Sequence, residues 1–404
     1  HNGNKKLDTT ATGIDVTGTA VTDGLTVAGN VSVDGGTIKL DGNFPTGTDN
    51  VALGNNTLNG SISGAGNIAI GDSVGSAITS GSNSVAIGRD ALAGIYTGGD
   101  AIAIGRGALA ALTSGNNNTA IGGLALTANT TGAANTAVGK GALAANTTGA
   151  SNTAIGDTAL AVNTTGTSNV AVGHNALDAN TEGLYNSALG GHALGGNTTG
   201  DNNISVGFNS SKNNTTGSNN VALGYVALST NTTGSQNVAI GREALEKNTT
   251  ASNNTAVGYQ ALEENTTGAY NVSVGNNSLD ANTTSSYNTA VGYDSLGANT
   301  TGAQNTAVGY TTGRGIIGAS NFNVAIGSEA LLTSGVKSYN TAIGSAVMRA
   351  TTTGSNNTGI GYSVLLANTT ATNNTAVGYA SLGANTTGAS NVSVGSGALG
   401  ANTT

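Results

Sequence analysis

The chain has 404 residues, of which only 8% are charged and 3% are aromatic, with 65 Gly and a single Pro. So little charge beside 37% hydrophobic residues does not fit a disordered polyampholyte, and the scarcity of bulky aromatic side chains argues against ordinary globular domains. A net charge of −8 without a basic stripe argues against nucleic-acid binding. The absence of Cys excludes disulfides and thiolate metal sites. The lack of a long apolar run argues against a membrane-spanning helix.

Residues 1–49 form a lead segment that alternates apolar and polar residues with period two, which predicts three or four short strands. Asp23 with Gly24, and Asp34 with the two glycines after it, are typical of hairpin turns, and residues 44–50 look like a junction. The chain begins without Met or an apolar leader and stops inside a repeat, so we expect it to be the ordered middle of a longer chain.

Residues 50–404 repeat every 17 residues. The clearest sign is a glycine, here called the marker glycine, which closes the motif Asn-x-Ala-[Val/Ile]-Gly and recurs from Gly54 to Gly395. Every step between marker glycines is 17 residues except one of 18, which gives 21 repeats with a one-residue insertion within residues 310–326. We expect a locally widened loop at the insertion.

A 17-residue unit is too short for the helix pair of a helical solenoid, and it is rich in the poor helix formers Gly, Asn and Thr. The residue pattern of one unit predicts a strand, a bend, a short Ala-Leu segment and an Asn-Thr-Thr-Gly turn, in that order. Stacked at about 4.8 Å per unit, these predict an all-β protein, a parallel β-solenoid or β-roll of roughly 100 Å. We expect Leu143 and Val138 to point into the roll, and Asn135 and Asn146 to stack in ladders.

A rung buries few large side chains, so the apolar burial of one chain does not clearly offset the entropy of ordering it. We therefore expect a second buried face made by other copies. The first strand of each unit has Val or Ile on one side and Ala on the other, and the sequence favours the small Ala side as the place where other chains approach.

Two resemblances agree with this architecture. The motifs "NSVAIG" at residues 83–88 and "NVAIG" at residues 237–241 resemble the head repeat of trimeric autotransporter adhesins, and the likeness covers residues 50–404. The stretch "KLDTTATGIDVTGTAVTDGLTVAGNVSVDGG" in the lead segment resembles tail-fibre proteins of marine bacteriophages, which also carry repeats of this kind. The first resemblance implies a left-handed roll built from three chains, and the two together imply a homotrimeric fibre.

Candidate contact residues are tyrosines that recur at fixed places in the repeat. One set directly follows the marker glycine: Tyr225, Tyr259, Tyr293, Tyr310, Tyr362 and Tyr379. A second set lies five residues before it: Tyr185, Tyr270, Tyr287 and Tyr339. Exposed aromatic rings can stack on sugars or contact a receptor, and they can equally cover the backbone at a bend.

Titratable residues do not form a recognisable catalytic or metal motif in the sequence. His174 and His192 fall on adjacent rungs, but no column of carboxylates accompanies them, and the other Asp and Glu are scattered. The repeated Asn-Thr-Thr matches the glycosylation sequon, although a turn and ladder role explains its recurrence better. We expect no cofactor, no metal site and no enzymatic activity.

The sequence leaves three functions to compare. The first is an elongated phage tail fibre, extracellular on the virion, that holds a host-receptor-binding tip outside this segment, with a glycan or an outer-membrane component as the receptor. The second is the head of a trimeric adhesin on a bacterial cell surface that binds host cells or matrix. The third, a polysaccharide-cleaving solenoid enzyme, requires clustered carboxylates in a groove.

Overall fold

The structure, a computed structural model, describes residues 8–10, 13–15, 48–59, 62–333, 335 and 337–404. The chain divides into two compact units, His1–Asp41 and Gly42–Thr404. In the first unit, strand β1 (Asp8–Thr10) pairs antiparallel with β2 (Gly13–Asp15). The predicted turns at Asp23 and Asp34 lie outside the described residues.

The second unit is built from one short strand per repeat. These strands are β3 Val51–Leu53, β4 Ile68–Ile70, β5 Val85–Ile87, β6 Ile102–Ile104, β7 Thr119–Ile121, β8 Thr136–Val138, β9 Thr153–Ile155, β10 Val170–Val172, β11 Ser187–Leu189, β12 Ile204–Val206, β13 Val221–Leu223, β14 Val238–Ile240, β15 Thr255–Val257, β16 Val272–Val274, β17 Thr289–Val291, β18 Thr306–Val308, β19 Val324–Ile326, β20 Thr341–Ile343, β21 Thr358–Tyr362, β22 Thr375–Tyr379 and β23 Val392–Val394. No helix occurs among the described residues.

All strands of the second unit belong to one parallel sheet whose strand order follows the chain. Thr136 pairs with Thr153, and the offset of 17 residues recurs at each pairing except that of Thr306 with Val324, where it is 18. The predicted parallel β-solenoid, with one repeat to each rung, is confirmed. The extra residue lies in the turn: Ile316 and Ser320 occupy the places of Asn146 and Gly149, with three residues between them instead of two.

The core lies between the strand and the following Ala-Leu segment. Leu143 is fully buried, as expected, together with Ala137 and Ala142. The expectation for Val138 is wrong, because this side chain faces outward and is only partly buried. The inner residue of the strand is Ala, Ser or Gly in every repeat. It is Gly359 in the rung after the one where Val347 replaces the equivalent of Ala142, and an added Cβ there would lie 2.7 Å from Val347.

The same burial pattern, with the middle residue inside and the flanking residues outside, recurs along the sheet. The Ala side therefore forms the interior of each chain, and the expectation that it faces other chains is wrong. The outward side of the sheet is the Val/Ile/Thr side.

Two columns of asparagines form hydrogen-bonded ladders from rung to rung, as the sequence predicted. Asn135 donates from Nδ2 to Oδ1 of Asn118 (3.2 Å), and Asn146 does the same to Asn129 (2.9 Å). Both amides also donate to the carbonyl oxygen of Gly149, at 2.8 and 2.9 Å. These asparagines are fully buried, so the ladders satisfy polar groups that water cannot reach.

The rung bends through residues with positive φ. In every repeat φ is positive at the marker glycine, at the second and fourth residues after it, and at the fifth before it. In one rung these are Gly139 (137°), Gly141 (66°), Leu143 (52°) and Ala134 (58°). A value near 137° is open to glycine alone, whereas the other three lie in the left-handed region that side chains enter at a cost of about 1–2 kcal/mol.

Candidate functional site

The outward side of the sheet carries a continuous uncharged surface, here called the outer stripe. It consists of the residues three before and one before each marker glycine, and each is Thr, Ser, Val, Ile or Leu in all repeats. Ile155, Val170 and Leu189 are 42%, 42% and 51% exposed. A single exposed aliphatic residue is ordinary, whereas this surface stays uncharged along the whole sheet, with an aliphatic residue directly before the marker glycine in every repeat.

The predicted tyrosines border this stripe. Strands β21 and β22 continue through the residue after the marker glycine, so Thr358, Ile360 and Tyr362 alternate along the same outward side. The six tyrosines that follow a marker glycine are 39% to 61% exposed. The uncharged stripe and the tyrosine column therefore form one continuous surface at these rungs.

The six tyrosines that follow a marker glycine form three groups in the structure. Tyr293 stacks on Tyr310 and Tyr362 stacks on Tyr379, with ring centroids 5.6 Å apart and ring planes 14° from parallel in both pairs. Tyr225 and Tyr259 lie two rungs apart, and the guanidinium of Arg242, on the rung between them, is 5.8 and 5.7 Å from the two ring centroids.

Sequence reasoning missed that the stack around Arg242 extends further. Phe208 stacks on Tyr225 (6.0 Å), His192 meets Phe208 edge-on (6.1 Å), and His174 meets His192 (5.5 Å). The signal was present, since His174, Phe208 and Arg242 all follow a marker glycine directly. Rings that stack in register turn their faces to one another, so the faces open to a planar ligand are those at the ends of a stack.

In the second tyrosine column, five residues before the marker glycine, rings on adjacent rungs also pair, whereas Tyr185 has Ser168 and Asn202 at the same place on its neighbouring rungs. Tyr270 stacks on Tyr287 at 5.1 Å, and Phe322, which the sequence analysis overlooked, stacks on Tyr339 at 5.1 Å. All of these backbones have positive φ, so the rings stand on bends and not on strands.

The two histidines have a carboxylate neighbour that the sequence did not suggest. The Nδ1 atom of His174 lies 3.6 Å from Oδ2 of Asp157, and both side chains are more than half exposed. Exposed pairs of this kind contribute little to stability. Within the described part of the chain, no third ligand comes close enough to these histidines to complete a metal site.

Carboxylates do cluster at one place, where the sequence reasoning expected only scattered charges. Oxygens of Glu243, Glu246 and Glu263 lie within 4.8 Å of one another. Glu243 is held by Arg242 and by Gln260, whose Nε2 donates to it over 3.0 Å. Burial, and then the neighbouring carboxylates, raise the pKa of Glu246 and of Glu263.

This cluster lies apart from the groove that the structure shows. An open groove on the solenoid surface is lined by Leu332, Thr333, Arg349, Ala350, Leu366 and Ala367, and none of these is a carboxylate. A glycosidase needs both features in one place, with a sugar held between two carboxyl groups. This groove and the glutamate cluster therefore do not together form such a site.

The carboxylate cluster predicts a pH dependence of stability. A raised pKa in the folded state means that the folded chain holds the proton more readily, so stability falls as pH rises above the ordinary Glu value near 4.5, and the penalty persists at neutral pH. Glu263→Gln should therefore stabilise the protein at pH 7 by less than about 1 kcal/mol, given the partial exposure of the group, and hardly at all at pH 4.

Thermal unfolding of both proteins at the two pH values measures this effect, with Glu182→Gln, at an exposed carboxylate in the turn, as the control. Equal gains at pH 4 and pH 7 would show that charge is not the cause.

Comparison with known proteins does not identify a family for this chain. A scan against protein-family models finds no match, and a search of curated proteins finds no relative. Among the described residues, no helix has the length and apolar character needed to cross a membrane.

Proposed function

We propose that the solenoid is the shaft of a homotrimeric attachment fibre, most simply the tail fibre of a phage, which holds a host-receptor-binding tip away from the virion. The observation that carries the proposal is the outer stripe. A single chain that functioned alone in water would have no reason to keep one whole side of its sheet free of charge over all repeats.

The size of the stripe fits association of copies. Twenty-one rungs at about 4.8 Å, and two outward residues about 7 Å apart, give a footprint on the order of 700 Å². A stable interface buries roughly 800 Å² on each partner. Because the stripe runs along every rung, identical chains aligned in parallel can cover it throughout, and three of them can close around a central axis without leaving an open face.

The second candidate function, the head of a bacterial surface adhesin, shares this architecture. It is favoured by the half-exposed tyrosines beside the stripe, which offer hydroxyl groups and ring edges to a receptor. The stacking of these rings on one another supports the shaft more than the adhesin, because the ring faces are largely taken.

The assembly can be tested by sedimentation equilibrium. The chain has a mass of 38.8 kDa, and we expect a species of three times that mass. Val257→Lys, in the middle of the stripe, should dissociate it, since the interface would bury a charge without a partner. Thr250→Lys, on an exposed turn, should not. A folded wild-type monomer would refute the trimer.

The division between shaft and adhesin can be tested by cell binding. We expect residues 1–404 to bind candidate host cells weakly, because the strongest receptor affinity is proposed to lie outside this segment. Tight and saturable binding that disappears when Tyr259, Tyr293 and Tyr310 are changed to Ala would contradict the shaft proposal and make the repeats themselves the adhesin.

A further inference from the structure

The apolar core of the solenoid is interrupted at one rung. Ser205, Ser210 and Ser211 replace the Ala, Ala and Leu that face inward elsewhere, and all three are buried. Core contacts divide there into two clusters, one ending at Leu194 and the other beginning at Ala222. The serine hydroxyls bond to the backbone: Ser205 Oγ donates to the Ser210 carbonyl (2.7 Å) and Ser210 Oγ to that of Ala222 (3.0 Å).

Three other rungs lack the inward leucine: in one, Met348 takes its place and is fully buried, and the other two are refilled from a neighbouring position. Gly75 takes the place of Leu where Ile78 is buried, and an added Cβ on Gly75 would lie 2.9 Å from Ile78 Cδ1. At Gly313 the nearest side chains to an added Cβ are Ala307, Leu296 and, at 3.3 Å, Ile316. Isoleucine therefore fills the space that the missing leucine leaves.

The rung of Ser211 has no such replacement. The residue at the place of Ile78 is Asn214, whose Nδ2 is committed to the ladder through Asn197 Oδ1 at 2.8 Å. The loss of leucine is therefore uncompensated at this rung.

A second serine-rich rung shows which substitution matters. Ser273 and Ser278 also replace both inward alanines, yet the leucine of that rung, Leu279, is kept and fully buried. Leu279 belongs to the second cluster, which continues past it on both sides. Serine in place of alanine alone thus leaves the core intact, and the absence of leucine is what divides it.

The interruption is bridged by hydrogen bonds and by surface rings. Asn203 donates to Asn186 (3.1 Å) and so continues the ladder to which Asn135 belongs. On the surface, the ring of Phe208 lies between the rings of His192 and Tyr225. A hydrogen bond contributes little net stability because the unfolded chain exchanges it for bonds to water, whereas a buried leucine contributes through its apolar area. The rung is therefore connected to its neighbours but is less well supported from inside.

We propose that the rung of Ser205–Ser211 is a joint built into the solenoid, which separates it into two cooperative blocks and opens before either of them. Stability in a stacked repeat is a sum of rung and nearest-neighbour contributions, so one weak contact is enough to uncouple the two sides. The inference does not depend on the fibre or on the trimer, because the joint lies within each chain.

Hydrogen exchange of the whole chain, read by mass spectrometry on peptides, tests the joint. The amide of Ser211, bonded to the Ala227 carbonyl at 2.9 Å, should exchange about tenfold faster than the equivalent amide of Leu279, bonded to Ser295 at 3.0 Å. Ser211→Leu should remove the difference and raise the first melting transition by several degrees, whereas Ser278→Ala should leave the exchange of its own rung nearly unchanged.

Equal exchange of the two rungs in the wild-type chain would overturn the proposal without the use of any variant. If Ser211→Leu proves too large to fold, Ser211→Val tests the same space with a smaller side chain. A Ser211→Val protein that folds and exchanges as fast as wild type at this rung would also overturn it.

Discussion

Gly139→Ala is expected to destabilise the solenoid by about 3 kcal/mol or more, whereas Gly141→Ala, two residues further on, should cost only about 1 kcal/mol. Gly139 has φ of 137° and an added Cβ would lie 2.2 Å from the carbonyl oxygen of Gly156 in the next rung. Gly141 has φ of 66° and the nearest atom to its added Cβ is 3.6 Å away, on Thr158.

The two substitutions add the same methyl group, so the difference between them measures what the φ of 137° and the contact with the next rung cost together. An alanine at Gly139 has to move the next rung, which is held by the bond from Gly156 N to Val138 O at 2.8 Å. The place of Gly141 already accepts alanine in other rungs, at Ala346 with φ of 56°. Chemical denaturation of both variants measures the difference, and equal losses would show that neither the φ of the marker glycine nor its contact with the next rung is what requires glycine.

The sequence was enough to predict the architecture because the strongest constraints repeat. A period of 17 residues fixes the register of a parallel stack, and the columns of Leu143, Asn135 and Asn146 have side chains that require a dry core or an in-register amide partner. All three lie where those requirements place them.

The orientation of the strand could not be predicted in the same way. Alternation shows that Ala137 lies on one side and Val138 on the other, but it does not say which side is inside, and hydrophobicity favours Val. Burial decides instead: the inner position holds Ala, Ser or Gly in every repeat, beside the buried Ala and Leu of the following segment. Which side is inside depends on how the rung bends.

The bend itself is the feature least visible in the sequence. Leucine seldom adopts positive φ, yet Leu143 and its equivalents do so in each rung where leucine occupies this place. The burial of the side chain and the bond from Leu143 N to Ala159 O (3.0 Å) offset the local strain. No propensity of an isolated residue predicts this, since the compensation comes from the neighbouring rung.

Among the surfaces, the tyrosine columns could be predicted but their partners could not. Fixed spacing placed Tyr293 and Tyr310 on adjacent rungs, and the structure stacks them. Arg242 lies between Tyr225 and Tyr259 because it occupies the same position of the repeat on the rung between them. A search of that position for tyrosines alone does not find it. The carboxylate cluster combines two different columns, so no single period reveals it.

Leu160→Asp is expected to have the largest effect of any single substitution, a loss of about 5 kcal/mol or more. The side chain is fully buried, so the change removes about 2–5 kcal/mol of apolar packing and also places a carboxyl group where the described neighbours are apolar side chains of the first core cluster. The control is Val162→Asp, two residues away, where the side chain is 43% exposed and the same column carries Lys247 and Glu264 in other rungs.

Because a rung contacts only its neighbours, the damage should be local before it is global. The amides of Leu143 and Leu160, bonded to Ala159 O and Ala176 O at 3.0 Å, should lose protection from hydrogen exchange, while those of Leu245 and Leu262 in the second cluster keep theirs. Calorimetry should show an added transition at lower temperature for Leu160→Asp and none for Val162→Asp. An unchanged melting profile for Leu160→Asp would contradict a buried leucine column, because an unpaired charge in the core destabilises the folded state.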